Sequence, residues 1–219
     1  MKTKPLAISF LACVLALPVV LRADDARLKA AETVLTEMAG AGDSGIPKGL
    51  LAKAKCVVIV PSVKKGALGV GGQYGRGYIS CRTTSGWSAP GGIRIEGGSI
   101  GVQLGGAETD VIMIVQNDKG VDRMLSSKFT VGADASVAAG PVGRQAQAQT
   151  DATLTAEILA WSRSKGIFAG VALDGSTLRE DSSENKDLYG KEISNKEIVK
   201  GSVAPPKAAA GLMAALAKY

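Results

Sequence analysis

The chain has 219 residues, of which 46% are hydrophobic and 21% charged, with a formal net charge of +6. That length favours one domain of ordinary size, and the balance excludes a disordered chain because enough apolar surface is available to bury a core. The complete lack of histidine excludes Ser-His-Asp and Cys-His nucleophile systems and removes the commonest metal ligand.

Residues 1–23 read as a secretory signal. Lys2 and Lys4 supply the positive start, Leu6 to Leu21 the apolar stretch, and Leu21-Arg22-Ala23 a cleavage site before Asp24. Pro18 interrupts the apolar run, which is shorter than the roughly 20 residues of a spanning helix. A retained anchor and a lipoprotein acylated at Cys13 are the alternatives. The expected product is one domain, residues 24–219, in the periplasm or secreted. Loss of Lys2, Lys4 and Arg22 lowers the charge to +3, from 23 basic and 20 acidic residues.

Along the mature chain, Leu28, Ala31, Leu35 and Met38 recur at helical spacing and Gly40 ends that helix. Pro47 suits the first turn of a short helix through Ala54. Cys56-Val57-Val58-Ile59-Val60 is a β-branched run that reads as a buried strand closed by Pro61. Ser62 to Gly66 reads as a turn carrying Lys64 and Lys65, and Ala67 to Arg82 as a long strand region studded with glycine. After a turn at Thr83 to Gly86, Trp87 to Leu104 continues as strand, with Ile100, Val102 and Leu104 on one face. Val111 to Val115 is a further strand. Asp118 to Ser126 is a short helix with Val121, Met124 and Leu125 inward.

Phe129 to Arg144 is rich in small residues and ends in a Gly140-Pro141-Val142-Gly143-Arg144 corner, where Arg144 could pair Asp110 or Asp134. Thr153 to Trp161 and Ile167 to Leu173 form a hairpin about Ser162 to Gly166. Past Asp174 the chain turns polar and then forms short helices, the last at Pro206 to Lys218. With 28 glycines and only 4% aromatics, the class is α+β: a mostly antiparallel glycine-rich sheet or partly closed barrel, with helices at both ends.

Chemistry is sparse. The two cysteines left after export, Cys56 and Cys81, suggest a disulfide in an oxidising compartment; two small buried thiols are the other reading. Without histidine they make no zinc site. The run Gly66 to Gly72 has neither phosphate-loop nor dinucleotide spacing. Nothing brings Asp110, Asp134 and Asp151 together as acid and base. No catalysis, cofactor or metal is expected.

The positive charge is local. Lys48, Lys53, Lys55, Lys64, Lys65, Arg76, Arg82 and Arg94 lie between residues 44 and 107, opposed only by Glu96. Such a patch suits anionic lipid headgroups, an acidic protein or nucleic acid. Nucleic acid is disfavoured, because stacking aromatics are not interleaved with the cations and the chain leaves the cytoplasm. Lys53, Lys55, Lys64, Lys65 and Arg76 are the candidate headgroup contacts. Trp87 reads as a core residue, or as an interfacial aromatic beside them.

Several ordered segments carry more. They are Ile46-Pro47 with Leu50-Leu51, Val57 to Gly66, Gly69 to Gly77, Gly86-Trp87-Ser88-Ala89-Pro90, Ser99 to Gly105, Thr109-Asp110, Gly132 to Arg144, Ser162 to Val171, and Tyr189-Gly190. Together they resemble the SYLF domain, the lipid- and actin-binding domain of the yeast actin-patch proteins, over about Ala31 to Ala217. The resemblance implies phospholipid binding, directed to phosphoinositides in eukaryotic relatives, with actin binding in the yeast ones. An exported stand-alone bacterial version would not meet actin. The expectation is a peripheral, non-catalytic module for anionic phospholipid at a membrane surface in the cell envelope. The alternative is an envelope interaction protein that docks an acidic partner on its basic face.

Overall fold

The computed structural model describes residues 23–42, 45–68, 70–100, 105–142, 155–164, 167–170 and 175–219. Helix α1 (Ala23–Gly40) is followed by α2 (Lys48–Lys53). Five strands come next: β1 (Cys56–Leu68), β2 (Val70–Thr83), β3 (Gly86–Trp87), β4 (Gly91–Ile100) and β5 (Gly105–Val115). After α3 (Asp118–Met124) come β6 (Phe129–Thr130), β7 (Val137–Ala139), β8 (Ile158–Ser164), β9 (Ile167–Gly170) and β10 (Thr177–Glu180). The chain finishes with α4 (Ser182–Tyr189), α5 (Asn195–Glu197) running into a wide π turn (Ile198–Ser202), and α6 (Ala210–Leu216).

The strands form one sheet in the order β6-β10-β4-β2-β1-β5-β8-β7, with β3 added to β2 and β9 to β8. Every pairing between these strands is antiparallel except β7 with β8. This order dictates curvature. β6 and β7 lie at opposite ends of it, yet only the step from Thr130 to Val137 joins them, which spans at most roughly 25 Å. Eight strands laid flat would hold those ends about 34 Å apart. The sheet therefore curls into a half-barrel, with helices from both chain ends against its outside.

Strand alternation sorts the two faces. Val58, Val60, Val63, Ile79, Ile93, Ile95, Val111, Met113, Val115 and Leu178 point inward and meet Met124 and Phe129. Val57, Ile59, Tyr78, Ile112, Ile114, Leu159 and Trp161 point outward against Leu28, Leu35 and Met38 of α1 and Leu212 and Leu216 of α6. Burial on both faces is why Cys56 to Val60 is continuously apolar rather than alternating.

Local signals place the helices well. α1 has Asp24 and Asp25 in its first turn, where the helix dipole favours them. Asp181 caps α4 by accepting the N–H of Glu184, and Gly190 closes that helix at φ 68°. Pro47 sits at the N-cap of α2, one place ahead of its expected position.

Several expectations are corrected. Pro61 does not close β1, which runs on to Leu68 through a bulge. The register to β2 shifts between Ile59 and Lys64, and that to β5 between Val60 and Val63. A missing proline N–H costs little where the ladder is already broken. Ser62 takes φ 49° and donates its N–H to Asp110 Oδ1 at 2.9 Å. Lys64 and Lys65 thus lie on a strand, on opposite faces. The strand expected from Ala67 to Arg82 is divided between β1 and β2, and that from Trp87 is interrupted at residues 88–90. β10 was not foreseen, because Thr177-Leu178-Arg179-Glu180 holds a single apolar residue. The β8–β9 hairpin is present, but β8 begins at Ile158 instead of Thr153. Val102 and Leu104 lie outside the described residues. Cys56 and Cys81, register partners in β1 and β2, are joined by an S–S bond of 2.00 Å.

Candidate functional site

β1 separates the cations that the sequence groups. Lys53 and Lys55 precede it, while Lys64 and Lys65 lie some nine residues along it, roughly 30 Å away at strand rise. Lys64 stands opposite Tyr74 on β2 and Glu108 on β5, with Nζ 4.0 Å from Glu108 Oε1. Tyr74 is itself half exposed. Lys55, fixed by backbone bonds to Val115 and Arg82, pairs with Asp118 at 3.0 Å, both in contact with solvent. Lys53 is exposed. Trp87 is partly buried against the outer core, and the Arg82 guanidinium lies 4.3 Å above its ring, a cation–π stack.

Arg76 is committed to the interior. It donates to Asp181 and to Ser183, and its Nη2 lies 3.3 Å from Glu184. Glu184, fully buried, also accepts from Arg27 of α1 and from the Tyr78 hydroxyl. Next to it, the equally buried Asn185 accepts the Gly92 N–H at 2.6 Å and donates to Asn195, which in turn donates to the Gly92 carbonyl. This network fastens α1, α4 and α5 to β2 and β4. Burial, then the bond to Glu184, raises the Tyr78 hydroxyl far above its usual range, keeping it a donor.

Burial alone would push the Asp181 carboxyl up. Hydrogen bonds from Arg76, Ser183 and the Glu184 N–H, with the Arg76 charge, outweigh it and hold the group at about 2, against an ordinary 3.8. A depressed folded value means stability that is present above pH 4 and lost as pH falls toward 2. The expected contribution is roughly 2 kcal/mol. Urea midpoints measured from pH 5 to pH 2 should show it as the difference in slope between wild type and Asp181→Asn. Parallel curves would refute it.

The remaining carboxylates named from sequence have separate partners. Asp110 is held by Arg163 at 2.6 Å, and Asp134 accepts the Thr130 N–H at 2.6 Å. Asp151 and Arg144 lie outside the described residues. Among the described residues, no cluster of three or more His, Cys, Asp or Glu residues could hold a metal ion, and no helix is long and apolar enough to cross a membrane.

The barrel end where β1 begins and β2 ends holds an open cleft of about 630 Å³ between α3 and the π turn. Lys55, Arg82, Lys196 and Lys200 line it, opposed by Asp118 and Asp122. Its apolar wall is Val121, Leu125 and Val199, with the Cys56–Cys81 disulfide beside them. Lys196 and Lys200, four residues apart, are both exposed. Arg82 Nη2 donates to the carbonyls of Leu51 and Ala52 at the end of α2 and to Tyr219 O, so Lys53 belongs to the same end of the molecule. Gly201, at φ 81°, lets the π turn close on β2: a Cβ there would meet Thr83 Cγ2 at 2.8 Å.

A family profile described as "Ysc84: Las17-binding protein actin regulator" matches residues 96–219, more than half of the chain. The chain belongs to the Ysc84 family. That is the family of the SYLF resemblance. An SH3 domain-containing protein of Schizosaccharomyces pombe is 38% identical over 168 residues, covering 75% of this chain and 39% of that protein. LAS seventeen-binding protein 3 of Saccharomyces cerevisiae is 36% identical over 170 residues, 76% of this chain and 37% of that protein. The human SH3 domain-containing YSC84-like protein 1 is 33% identical over 172 residues, 78% of this chain and 50% of that protein. This Ysc84 domain thus spans from about a third to a half of these relatives' length.

Of the six residues proposed from sequence, only Lys55 lines the cleft of the Ysc84 domain; Lys53 lies nearby and Trp87 backs Arg82. Lys196 and Lys200 were missed. Their spacing on one helical face was visible, but nothing local says that this face closes on the start of β1.

Proposed function

We propose that this domain is a peripheral, non-catalytic binding module for anionic phospholipid surfaces, which docks through the basic end of the half-barrel. The observation that carries the reading is the convergence of Lys55 with Lys196 and Lys200 at one cleft, with Lys53 and Arg82 beside them. Each cation held near an anionic membrane gains about 1 kcal/mol, so several on one end suffice for reversible docking. The family resemblance supports the same ligand class. Lys64 and Lys65, at the far end of β1, are not part of this surface.

The test is flotation with vesicles of phosphatidylcholine alone or mixed with phosphatidylglycerol. The protein is taken from the periplasmic fraction, where the mature N-terminus is expected at Asp24. Binding should require the anionic lipid. The double variant K196E/K200E should weaken it by tenfold or more on the order of the charge lost, and K64E/K65E should change it little. Equal binding to neutral vesicles, or wild-type binding by K196E/K200E, would overturn the reading. The family's description as Las17-binding favours a second reading, in which the same end docks an acidic protein. Capture of an acidic envelope protein without lipid would support that one.

A further inference from the structure

The cleft is more than a basic surface, because one wall is apolar. Val121 of α3 and Leu125, which caps it, are only partly buried over the inner core, and Val199 of the π turn is 8% exposed. The volume of about 630 Å³ falls in the range of small-molecule sites, which favour the mouths of barrels and combine apolar walls with a few placed polar groups. Charge has the right sign for an anion: four cations against two carboxylates, one of which, Asp118, is already paired with Lys55. Depth is limited. Val58, Ile79 and Val115, immediately behind the disulfide in the inner core, have no exposed surface, so no long chain can pass into the barrel.

We infer that this cleft takes one anionic amphiphile, with its phosphate on Lys196 and Lys200 and the first carbons of its chain on Val121, Leu125 and Val199. The inference rests on the membrane-docking reading of this end and names what the end grips: part of a single lipid rather than the plane of headgroups. Arg82, locked by carbonyls and by Trp87, forms a fixed wall; the lysines are the adjustable contacts.

The test is calorimetric titration of the whole domain with dihexanoyl phosphatidylglycerol below its micelle concentration. Glycerophosphoglycerol, inorganic phosphate and dihexanoyl phosphatidylcholine are the comparison ligands. The anionic monomer should bind roughly tenfold more tightly than its headgroup alone, the effect of burying about two methylenes, and the neutral lipid should bind least. V121N should bring the affinity for the anionic monomer down to that for its headgroup, and K196E/K200E should abolish binding of both. If V121N does not fold, dibutanoyl phosphatidylglycerol replaces it as the probe and should bind more weakly than the dihexanoyl lipid. Equal affinity for monomer, headgroup and phosphate would overturn the inference, as would no loss in V121N. Vesicle binding without monomer binding would sink the inference and leave the docking reading standing. Monomer binding without vesicle binding would do the reverse.

Discussion

Glu184→Ala is expected to lower unfolding stability by about 3 kcal/mol, read as a fall in the urea midpoint at neutral pH. The carboxylate is fully buried, accepts from the Arg27 guanidinium and the Tyr78 phenol, and is ion-paired with Arg76 at 3.3 Å. Deleting it leaves Arg27 and Arg76 on either side of a desolvated gap, with only Asp24 and Asp181, among the described residues, as their counter-charges. The cost belongs at the lower end of what breaking a buried ion pair produces, because the Arg27 and Arg76 side chains keep 20% and 25% exposure. Glu184→Gln should lose nearly as much, since it keeps the shape and one acceptor for Tyr78 but not the charge. A loss below about 1 kcal/mol in both variants would show that the network is ornamental to stability. The effect should also be local in origin: Arg27 is the tie from α1, so protection of α1 amides from hydrogen exchange should fall more than that of β5.

Gly77→Ala should be as damaging by a different route. A Cβ at this position would lie 2.0 Å from the Ile59 carbonyl oxygen and 2.7 Å from Val60 Cα. Both are backbone atoms of β1, on the approach to its bulge, so no side chain can swing aside. Relief requires moving β1 relative to β2 and β4, whose ladder Gly77 joins opposite Ile93. Overpacking of that kind costs about 3 kcal/mol or more, and the variant should be recovered as insoluble or loosely folded protein. Gly66→Ala is the control, because a Cβ there meets nothing within 4 Å and the variant should match wild type. A Gly77→Ala protein within about 1 kcal/mol of wild type would refute the close approach of the two strands.

These two positions show what could be read in advance. Gly77 stood in an expected strand region studded with glycine, and the structure gives the atom it makes room for, the Ile59 carbonyl oxygen. Glu184 gave no such sign. It is one acid in a polar stretch, Asp181 to Asn185, and only the arrival of Arg27 from α1 and Arg76 from β2, both far earlier in the chain, makes it the centre of a network. The same contrast holds at the site. Lys55 was visible as part of a local excess of positive charge. Arg76 belonged to that excess too, yet its charge is spent inside.

From the sequence by itself come the α+β class, the helices at both ends, the β-branched core strand, the cluster of ordered segments that marks the family, and the rarity of catalytic chemistry. Each depends on residues near one another in the chain: periodicity, caps, turns and composition are short-range properties, and burial imprints them locally. Tertiary structure alone decided the rest. It set which strands sit at the sheet edges, that β1 bends past Pro61 without ending, that Arg76 is taken by Asp181 and Glu184, and that Lys196 and Lys200 come to Lys55 across most of the chain. Those outcomes follow from strand order and from how a curled sheet brings its ends round, and pairings between distant segments are selected by the whole core at once rather than by any window of residues.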